Sequence, residues 1–366
     1  MQNKMQNTYC IIIAGGLGRR FWPISNAKNP KQFLDILGMG QTFIQMTYRR
    51  FKHVCPPENI IVVANEAHRD LVREQLPDLD DQQILLEPLR RNTAPSIAYA
   101  ASKIKKKCPH ANLVITPADQ IILHEAEFYG QLEVGLNHVR ENRSIMTIGT
   151  KATRPETSFG YIQVGDCIDE ERLPNIYQMK TFTEKPNEEM ASIFYDSGEF
   201  FWNTGIIVSS VEALDRAYAK YQPDMYARFF CDGVEKYGTS SEANFVKKVY
   251  SECSNISVDY AILERVDEVF VLCSDFGWSD IGTWTNAYHQ LEKDESLNVV
   301  SGEDIFCYDA HRNVIHSETD RLVILSGVND YIVVDTESVL MLCKKNDEKN
   351  IRYFLNDIRL RTNRDL

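Results

Sequence analysis

Short apolar runs alternate with helically spaced apolar residues along the first 150 residues of the chain. The apolar runs predict strands at 9–14, 60–64, 84–86, 112–116 and 144–149. The segments between them predict helices at 42–54, 66–76, 95–107 and 125–141. Strands that are apolar on both faces and separated by helices are typical of a mostly parallel sheet, which binds ligands beyond the carboxyl ends of its strands. We therefore predict an α/β domain with its functional loops at that edge.

The pattern changes after residue 150 and again after residue 297. In the first of these regions the predicted strands are 161–164, 178–184, 206–209 and 269–273, and the predicted helices are 187–197 and 211–221. In the second, β-rich runs follow one another at 305–308, 313–316, 322–325, 331–334 and 339–343, before a predicted helix at 347–358. We predict a catalytic domain over residues 1–290 and a small β-rich module over 291–366, with a role in packing or dimerisation.

Composition, net charge and cysteine spacing exclude several classes of protein. The chain has 366 residues, 43% of them hydrophobic and 25% charged, and a formal net charge of −12. Because nucleic-acid and anionic-membrane binding need a dominant basic surface, we expect neither. The nine cysteines are scattered and form no C-x-x-C pair, and no apolar run is long enough for a membrane span. These features predict a cytoplasmic protein with reduced thiols.

A glycine-rich segment follows the first predicted strand. Gly15, Gly16 and Gly18 allow the backbone to approach a ligand and to point several N–H groups at it. Arg20 adds a planar cationic fork that suits two phosphates, and Lys31 adds a compact positive charge. Together they predict a triphosphate loop, since their charges would offset those of the phosphates. The alternative is a glycine turn with solvated basic residues.

Two familiar phosphate loops fit this segment poorly. The ATPase loop needs Gly-Lys followed by Ser or Thr, which does not occur in the chain. The dinucleotide pattern G-x-G-x-x-G has Phe21 in place of its third glycine. An NAD-dependent oxidoreductase is therefore disfavoured.

The glycine loop, with the sequence GGLGRRFWP, and the PKQFL sequence at residues 30–34 resemble the sugar-1-phosphate nucleotidyltransferases. They are most similar to the bacterial mannose-1-phosphate guanylyltransferases, and the resemblance covers roughly residues 9–290. It implies a Rossmann-like, GT-A-like domain with a mostly parallel mixed sheet, and a left-handed β-helix-like C-terminal module. It also implies Mg²⁺ as cofactor, GTP and α-D-mannose 1-phosphate as substrates, and a homodimer.

The nucleotide is expected to meet the glycine loop and the segment after the third strand. Glu87 would accept hydrogen bonds from guanine N1–H and N2–H. Alternatively, Asn92 or Thr93 only caps the helix that follows. The resemblance implies these nucleotide-binding residues: Ala14, Gly15, Gly16, Gly18, Arg19, Glu87, Arg91, Asn92, Thr93, Ala94 and Pro117.

Two aspartates are the candidate metal ligands. Asp119 ends the fourth predicted strand, and Asp280 lies in the sequence GWSDIGTW. Mg²⁺ needs only one or two protein carboxylates, so the pair would suffice. The alternative for either aspartate alone is a helix N-cap. The family often has Ser and His where this chain has Ala118 and Gln120, which puts small contacts around the metal in doubt.

Three further segments resemble the sugar-phosphate side of the family. The residues implied are Gly160, Tyr161, Glu184, Lys185, Asn203 and Asp259. An amide and carboxylates bind hydroxyl groups, and a lysine binds phosphate. The alternative for Glu184 and Lys185 is a surface ion pair of little energetic weight.

The resemblance implies a reaction without a protein nucleophile. The ionised phosphate of the sugar would attack the α-phosphorus of GTP in line, and pyrophosphate would leave. Arg20 would hold the leaving phosphates, Lys31 the nucleotide and Lys185 the sugar phosphate. The alternatives are another NTP or sugar, as in GDP-heptose or dTDP-glucose synthesis, and an inactive nucleotide-sugar sensor. Longer family members carry an isomerase domain, and since this chain ends at Leu366 we expect no isomerase activity.

Overall fold

The computed structural model describes residues 6–16, 18 and 21–362. The chain divides into two compact units. The first compact unit comprises Met1–Gly15 and Thr47–Ser279, and the second comprises Gly16–Met46 and Asp280–Leu366. Compactness thus groups residues 16–46 with the C-terminal strands, whereas the domain boundary predicted near residue 290 stays a prediction.

The strands follow the predicted apolar runs closely. Those of the first compact unit are β1 (Thr8–Ile13), β2 (Ile60–Asn65), β3 (Ile84–Glu87), β4 (Asn112–Pro117), β5 (Ile121–Ile122), β6 (Ile145–Lys151), β7 (Gly160–Asp169), β8 (Leu173–Glu184), β9 (Phe200–Ser210), β10 (Val269–Cys273) and β11 (Trp278–Ser279). Those of the second are β12 (Val299–Ser301), β13 (Ile305–Tyr308), β14 (Val314–Ser317), β15 (Val323–Ser326), β16 (Tyr331–Asp335) and β17 (Leu340–Lys344). The short strands β5, β11 and β12 were not predicted, because each has too few residues to show a period.

The helices also match the predicted segments, with additions after residue 221. They are α1 (Phe43–Phe51), α2 (Arg69–Gln75), α3 (Thr93–Lys107), α4 (Glu125–Asn142), α5 (Glu188–Ser197), α6 (Val211–Tyr221), α7 (Pro223–Tyr226), α8 (Glu242–Glu252), α9 (Trp284–Gln290) and α10 (Ile351–Thr362). Two π-helical turns lie at Ala227–Asp232 and Asp259–Leu263. Within the described part of the chain, no helix is both long and apolar enough to cross a membrane.

One nine-stranded sheet organises the first compact unit. Its order is β3-β2-β1-β4-β9-β6-β10-β8-β7. The pairings give β8 and β9 one direction and the other strands of this sheet the opposite direction. This confirms the predicted α/β fold with a mostly parallel mixed sheet.

Both faces of the sheet are covered. Alternate residues of β1, Tyr9 and Ile11, belong to a core cluster with Ile97 of α3. The intervening residues of β1, Cys10 and Ile12, are fully buried as well. Burial on both faces explains why β1 is apolar at successive positions rather than at alternate ones.

The strands of the second compact unit form a parallel coil. Successive strands alternate between two ladders, since β12, β14 and β16 pair in parallel in one and β13 and β15 in the other. Val314 pairs with Ile332, and Ile305 pairs with Val323. The spacing of eight or nine residues between the predicted runs from 305 to 334 is therefore the step from one ladder to the next. The antiparallel strand β17 pairs with β16.

Two asparagines fix one turn of this coil. Asn298 and Asn313 are fully buried. The Asn313 amide donates to Oδ1 of Asn298 at 3.0 Å and to the carbonyl of Val328 at 2.8 Å, and its oxygen accepts from the N–H of Tyr331 at 2.9 Å. Each bond satisfies a polar atom of a side chain that cannot reach water, so these asparagine hydrogen bonds stabilise the coil.

Replacing Asn313→Ala should lower the melting temperature by roughly 4–8 °C, because it removes three hydrogen bonds of a buried side chain and leaves the N–H of Tyr331 without its side-chain acceptor. Differential scanning calorimetry would measure the shift. Asn329→Ala is the matched control, since Asn329 is exposed and its side chain accepts one hydrogen bond, from His311. Equal shifts of the melting temperature in both variants would contradict a stabilising role for the buried asparagine hydrogen bonds.

Candidate active site

The end of β1 lies against a buried carboxylate. Ala14 is buried, and its N–H donates to the carbonyl of Val63 at 2.8 Å. A Cβ atom at Gly15 would lie 2.8 Å from Oε2 of Glu87. Glycine is therefore needed at position 15 for this close approach rather than for its dihedral freedom.

Glu87 lies beneath this turn with 4% of its surface exposed. Its Oε1 accepts from the hydroxyl of Ser96 at 2.5 Å and from that of Tyr250 at 2.9 Å. Burial raises the pKa of Glu87, and these two hydrogen bonds oppose the rise. The predicted contact with guanine stays a prediction, and Oε2, on the Gly15 side, is the oxygen that neither hydroxyl occupies.

Arg91 binds the backbone of a neighbouring segment. Its Nε donates to the carbonyl of Tyr250 at 2.9 Å, and its guanidinium also donates to the carbonyl of Ser251 at 3.2 Å. These bonds fix the loop before α3. The predicted nucleotide contact from Arg91 stays a prediction.

The start of α3 is held in the same way. Asn92 has a φ of 64° and caps the helix, since its Oδ1 accepts from the N–H of Thr93 at 3.1 Å. The Thr93 hydroxyl accepts from the N–H of Val258 at 2.9 Å, and the Ala94 N–H donates to the carbonyl of Ile256. The helix begins two residues before the predicted Pro95, and the capping alternative is correct for Asn92. Nucleotide contacts from this segment stay a prediction.

In the second compact unit, Gly18 has a φ of 59°. A Cβ atom there would lie 2.7 Å from the backbone nitrogen of Lys31, so both the backbone angle and the space require glycine. The Gln32 side chain donates to the carbonyl of Gly16 at 3.0 Å. Arg19, predicted to bind the nucleotide, and Arg20, predicted to bind its phosphates, lie outside the described residues.

Lys31, a predicted phosphate ligand, forms an ion pair with Asp280, a predicted metal ligand. It is 3% exposed, and its Nζ lies 3.2 Å from Oδ1 of Asp280. The rings of Phe43 and Phe21 lie 5.0 and 5.9 Å from the same Nζ. A buried ammonium group needs such a counter-charge, so the pair holds the Asp280 carboxylate in one position.

Asp119 belongs to the first compact unit, at the end of β4. Pro117 pairs with Ile13 of β1 in the sheet register. The N–H of Ala118 donates to the carbonyl of Ile13 at 3.0 Å, and its carbonyl accepts from the Thr47 hydroxyl at 3.1 Å. The loop that carries Asp119 is thus tied to the end of β1, and Asp119 keeps part of its surface exposed.

The predicted sugar-phosphate residues meet on neighbouring strands. Gly160 of β7 is in register with Glu184 of β8 and with Asn203 of β9. A Cβ atom at Gly160 would lie 2.7 Å from Oε2 of Glu184. Lys185, with a φ of 48°, follows Glu184 and forms an ion pair with it. Residues far apart in the sequence therefore form one polar cluster.

Asn203 connects this cluster to Asp259. The Asn203 amide donates to Oδ1 of Asp259 at 3.1 Å, and its oxygen accepts from the Thr147 hydroxyl at 2.8 Å and from the Gly205 N–H at 3.2 Å. These bonds fix the amide orientation. Burial, and next the charge of Glu184, raise the pKa of Asp259 to about 6. Asp259 also begins a π-helical turn, a feature common at functional sites.

Two other residues contribute to this region. Tyr161 is fully buried, and its hydroxyl accepts from the N–H of Glu156 at 2.8 Å, so its side chain holds the loop before β7, while its predicted place on the sugar-phosphate side stays a prediction. Thr147 was missed, because a threonine within an apolar strand gives no signal of its own in the sequence.

The cluster of Glu184, Lys185, Asn203 and Asp259 has a definite chemical preference. Carboxylates and a fixed amide are suited to vicinal hydroxyl groups, and the adjacent ammonium group is suited to a phosphate. A hydroxylated, phosphorylated molecule is the natural partner of such a set.

The fold, the glycine loop after β1 and the cluster of sugar-phosphate residues define a nucleotidyltransferase. The model of the nucleotidyl transferase family matches residues 9–296, and the chain belongs to that family. It is 32% identical over 349 residues to a mannose-1-phosphate guanylyltransferase of Escherichia coli, covering 93% of this chain and 74% of that protein. It is 34% identical over 357 residues to the mannose-1-phosphate guanylyltransferase of Salmonella montevideo, covering 96% and 74%.

A solved structure agrees with these relatives. It is the crystal structure of a protein from Thermus thermophilus described as a mannose-1-phosphate geranyltransferase. The two share 27% sequence identity with a TM-score of 0.83, over 97% of this chain and 100% of the other. The similarity therefore extends over nearly the whole chain.

Asp259→Asn should make the protein more stable at pH 7.5. The raised pKa means that the folded state holds the Asp259 proton more tightly than the unfolded state, so stability is lost as the pH rises from about 4 to 6 and stays lost above that. The full shift corresponds to about 3 kcal/mol, and since Asp259 is partly exposed we expect about 1 kcal/mol.

Urea denaturation at a series of pH values would test this. The gain should shrink as the pH falls and disappear below about pH 3, where the wild-type carboxyl is protonated in both states. Asp166→Asn, at an exposed position on β7, is the control and should show no such pH dependence. A variant that is less stable than the wild type at every pH would contradict the explanation.

Proposed function

We propose that this protein transfers GMP from GTP to α-D-mannose 1-phosphate, giving GDP-mannose and pyrophosphate. The observation that carries the proposal is the cluster of Glu184, Lys185, Asn203 and Asp259, which supplies hydroxyl and phosphate partners in one place. The names of the guanylyltransferase relatives specify the same sugar phosphate. Family membership supports a nucleoside triphosphate as the second substrate.

The reaction needs positioning and charge stabilisation rather than a nucleophilic side chain. The sugar phosphate is itself the nucleophile, and it is already ionised at neutral pH. Lys185 would hold this phosphate, and the fixed amide of Asn203, with Asp259, would orient the hydroxyl groups of the sugar. Arg20 would bind the leaving pyrophosphate and Lys31 the nucleotide phosphates, because charge develops there as the bond breaks.

Asp119 and Asp280 would hold a Mg²⁺ ion. Both present a partly exposed carboxylate, the ligand type that Mg²⁺ prefers. Among residues 6–16, 18 and 21–362, no group of three or more acidic, histidine or cysteine side chains is placed to hold a metal ion. The remaining ligands would be phosphate oxygens and water, as is usual for this ion. When bound, it would neutralise negative charge on the triphosphate.

We also propose a cytoplasmic location and a homodimeric assembly. All nine cysteines are free thiols, which favours the reducing cytoplasm. A homodimer is proposed from the family resemblance.

A pyrophosphate-release assay tests the function directly. The pure protein would be given each of four NTPs with mannose 1-phosphate, glucose 1-phosphate or a heptose 1-phosphate, with Mg²⁺ or with EDTA. We expect release with GTP and mannose 1-phosphate, and loss of activity with EDTA. A preference for another pair would replace the substrate assignment, and GTP binding without release on any pair would favour the inactive sensor.

Arg20→Ala should reduce kcat by about 10²-fold or more, because it removes the positive charge that would bind the leaving pyrophosphate. Steady-state kinetics with GTP and mannose 1-phosphate would measure this. Arg172→Ala, at an exposed turn between β7 and β8, is the matched control and should leave kcat unchanged. Near-normal turnover of Arg20→Ala would remove the role assigned to the glycine loop.

A further inference from the structure

A cavity of about 390 Å³ lies in the first compact unit, at the edge of the sheet opposite to the glycine turn. Its lining includes Tyr9, the second residue of β1, and Ile61, the second residue of β2. Gln82 and Gln83, just before β3, also line it. Since these positions lie at the amino ends of parallel strands, the cavity is separate from the loops at their carboxyl ends.

The cavity has an apolar floor. Tyr9, Ile61 and Ile104 of α3 form it, and each is buried in the core of the first compact unit. A volume of this size lies in the range of small-molecule sites, which are mostly apolar with a few well-placed polar groups. The floor therefore suits a flat, ring-containing group better than an extended polar chain.

Positive charge surrounds this floor. The last turns of α3 contribute Lys103, Lys106 and Lys107. Lys103 pairs with Glu242 at 2.8 Å, and Lys106 donates to the carbonyl of Tyr237 at 2.8 Å. The Lys107 ammonium lies 5.9 Å from the Tyr9 ring, and among the described residues none accepts a hydrogen bond from it.

Two sources of negative charge oppose the positive charge of these lysines. The carboxyl end of α3 carries a partial negative charge, and Glu58 lies on the cavity wall. With Lys103 balanced by Glu242, Lys106 and Lys107 together still outweigh Glu58. The balance at this rim favours a ligand with one anionic group.

The walls are held in place without a ligand. The Gln83 amide donates to the carbonyls of Pro57 and Ile60, both at 2.7 Å, and ties the start of β3 to the start of β2. The Tyr237 hydroxyl accepts from the Ser102 hydroxyl at 2.9 Å, which ties the opposite wall to α3. A pre-formed site loses little conformational freedom on binding.

We propose that this cavity binds a small phosphate ester with a flat, largely apolar ring. The ring would lie on Tyr9, Ile61 and Ile104, and the phosphate would bind Lys107 with support from Lys106. The site does not depend on the proposed transferase activity, because none of its residues belongs to the glycine turn or to the sugar-phosphate cluster.

Titration of the full-length protein with phenyl phosphate, followed by ligand-detected NMR, tests the proposal. Lys107→Gln should weaken binding at least about fivefold, since it removes a charge-assisted contact. Lys105→Gln is the matched control on the same turn of α3, because Lys105 pairs with Asp215 and does not line the cavity. Lys185→Gln reports on the sugar-phosphate cluster and should leave this binding unchanged.

Three outcomes would overturn the proposal: equal affinity in the wild type and Lys107→Gln, loss of binding in Lys185→Gln alone, or inorganic phosphate binding as tightly as phenyl phosphate. The first two would place the ligand elsewhere, and the third would show that the apolar floor contributes nothing. Lys107 is exposed, so its variant should fold normally, and an unchanged melting temperature would verify this.

Discussion

The parallel pairing of β1 with β2 on one side and β4 on the other determines where the chemistry of the first compact unit lies. Ile13 pairs with both Val63 and Pro117, so β1 and β4 end at the same level of the sheet and β2 ends two residues beyond it. The glycine turn and the loop of Asp119 must then begin at one edge. Hydrogen bonds from Ala14 and Ala118 to neighbouring strands hold these loops close to the sheet. The buried carboxylate of Glu87 follows from the same arrangement, because β3 ends beside them.

Much of this architecture could be predicted from local patterns. The runs of β1, β2 and β4 are apolar at successive positions because both faces of the sheet are covered, and the helices between them show regular spacing. The glycine loop was recognisable because glycines, cationic residues and a strand occur together within a short span. Helix boundaries depend on capping contacts as well as on spacing, since α3 begins at Thr93 rather than at Pro95 through the cap that Asn92 provides.

Contacts between distant residues could not be predicted. The pairing of Lys31 with Asp280 joins residues 249 positions apart, and neither local sequence indicates the other. The chain of hydrogen bonds from Thr147 through Asn203 to Asp259 was missed at its first member for the same reason. Arg91 is a further example: the sequence did not indicate that its guanidinium donates to the backbone carbonyls of Tyr250 and Ser251, and its predicted contact with the nucleotide stays a prediction. Such outcomes depend on tertiary packing, which composition and period do not encode.

The parallel coil of the second compact unit restricts how this part of the gene can change. Val314 pairs with Ile332 and Ile305 with Val323, so these two turns occupy 18 residues each, whereas the turn from Val299 to Val314 occupies 15. Inserting a single residue into a strand would exchange its inward and outward side chains and displace the buried asparagines from each other. Gain or loss of a whole turn would preserve both, as in other repetitive folds. Length variation in this module should therefore occur in complete turns, or in the exposed bends between strands.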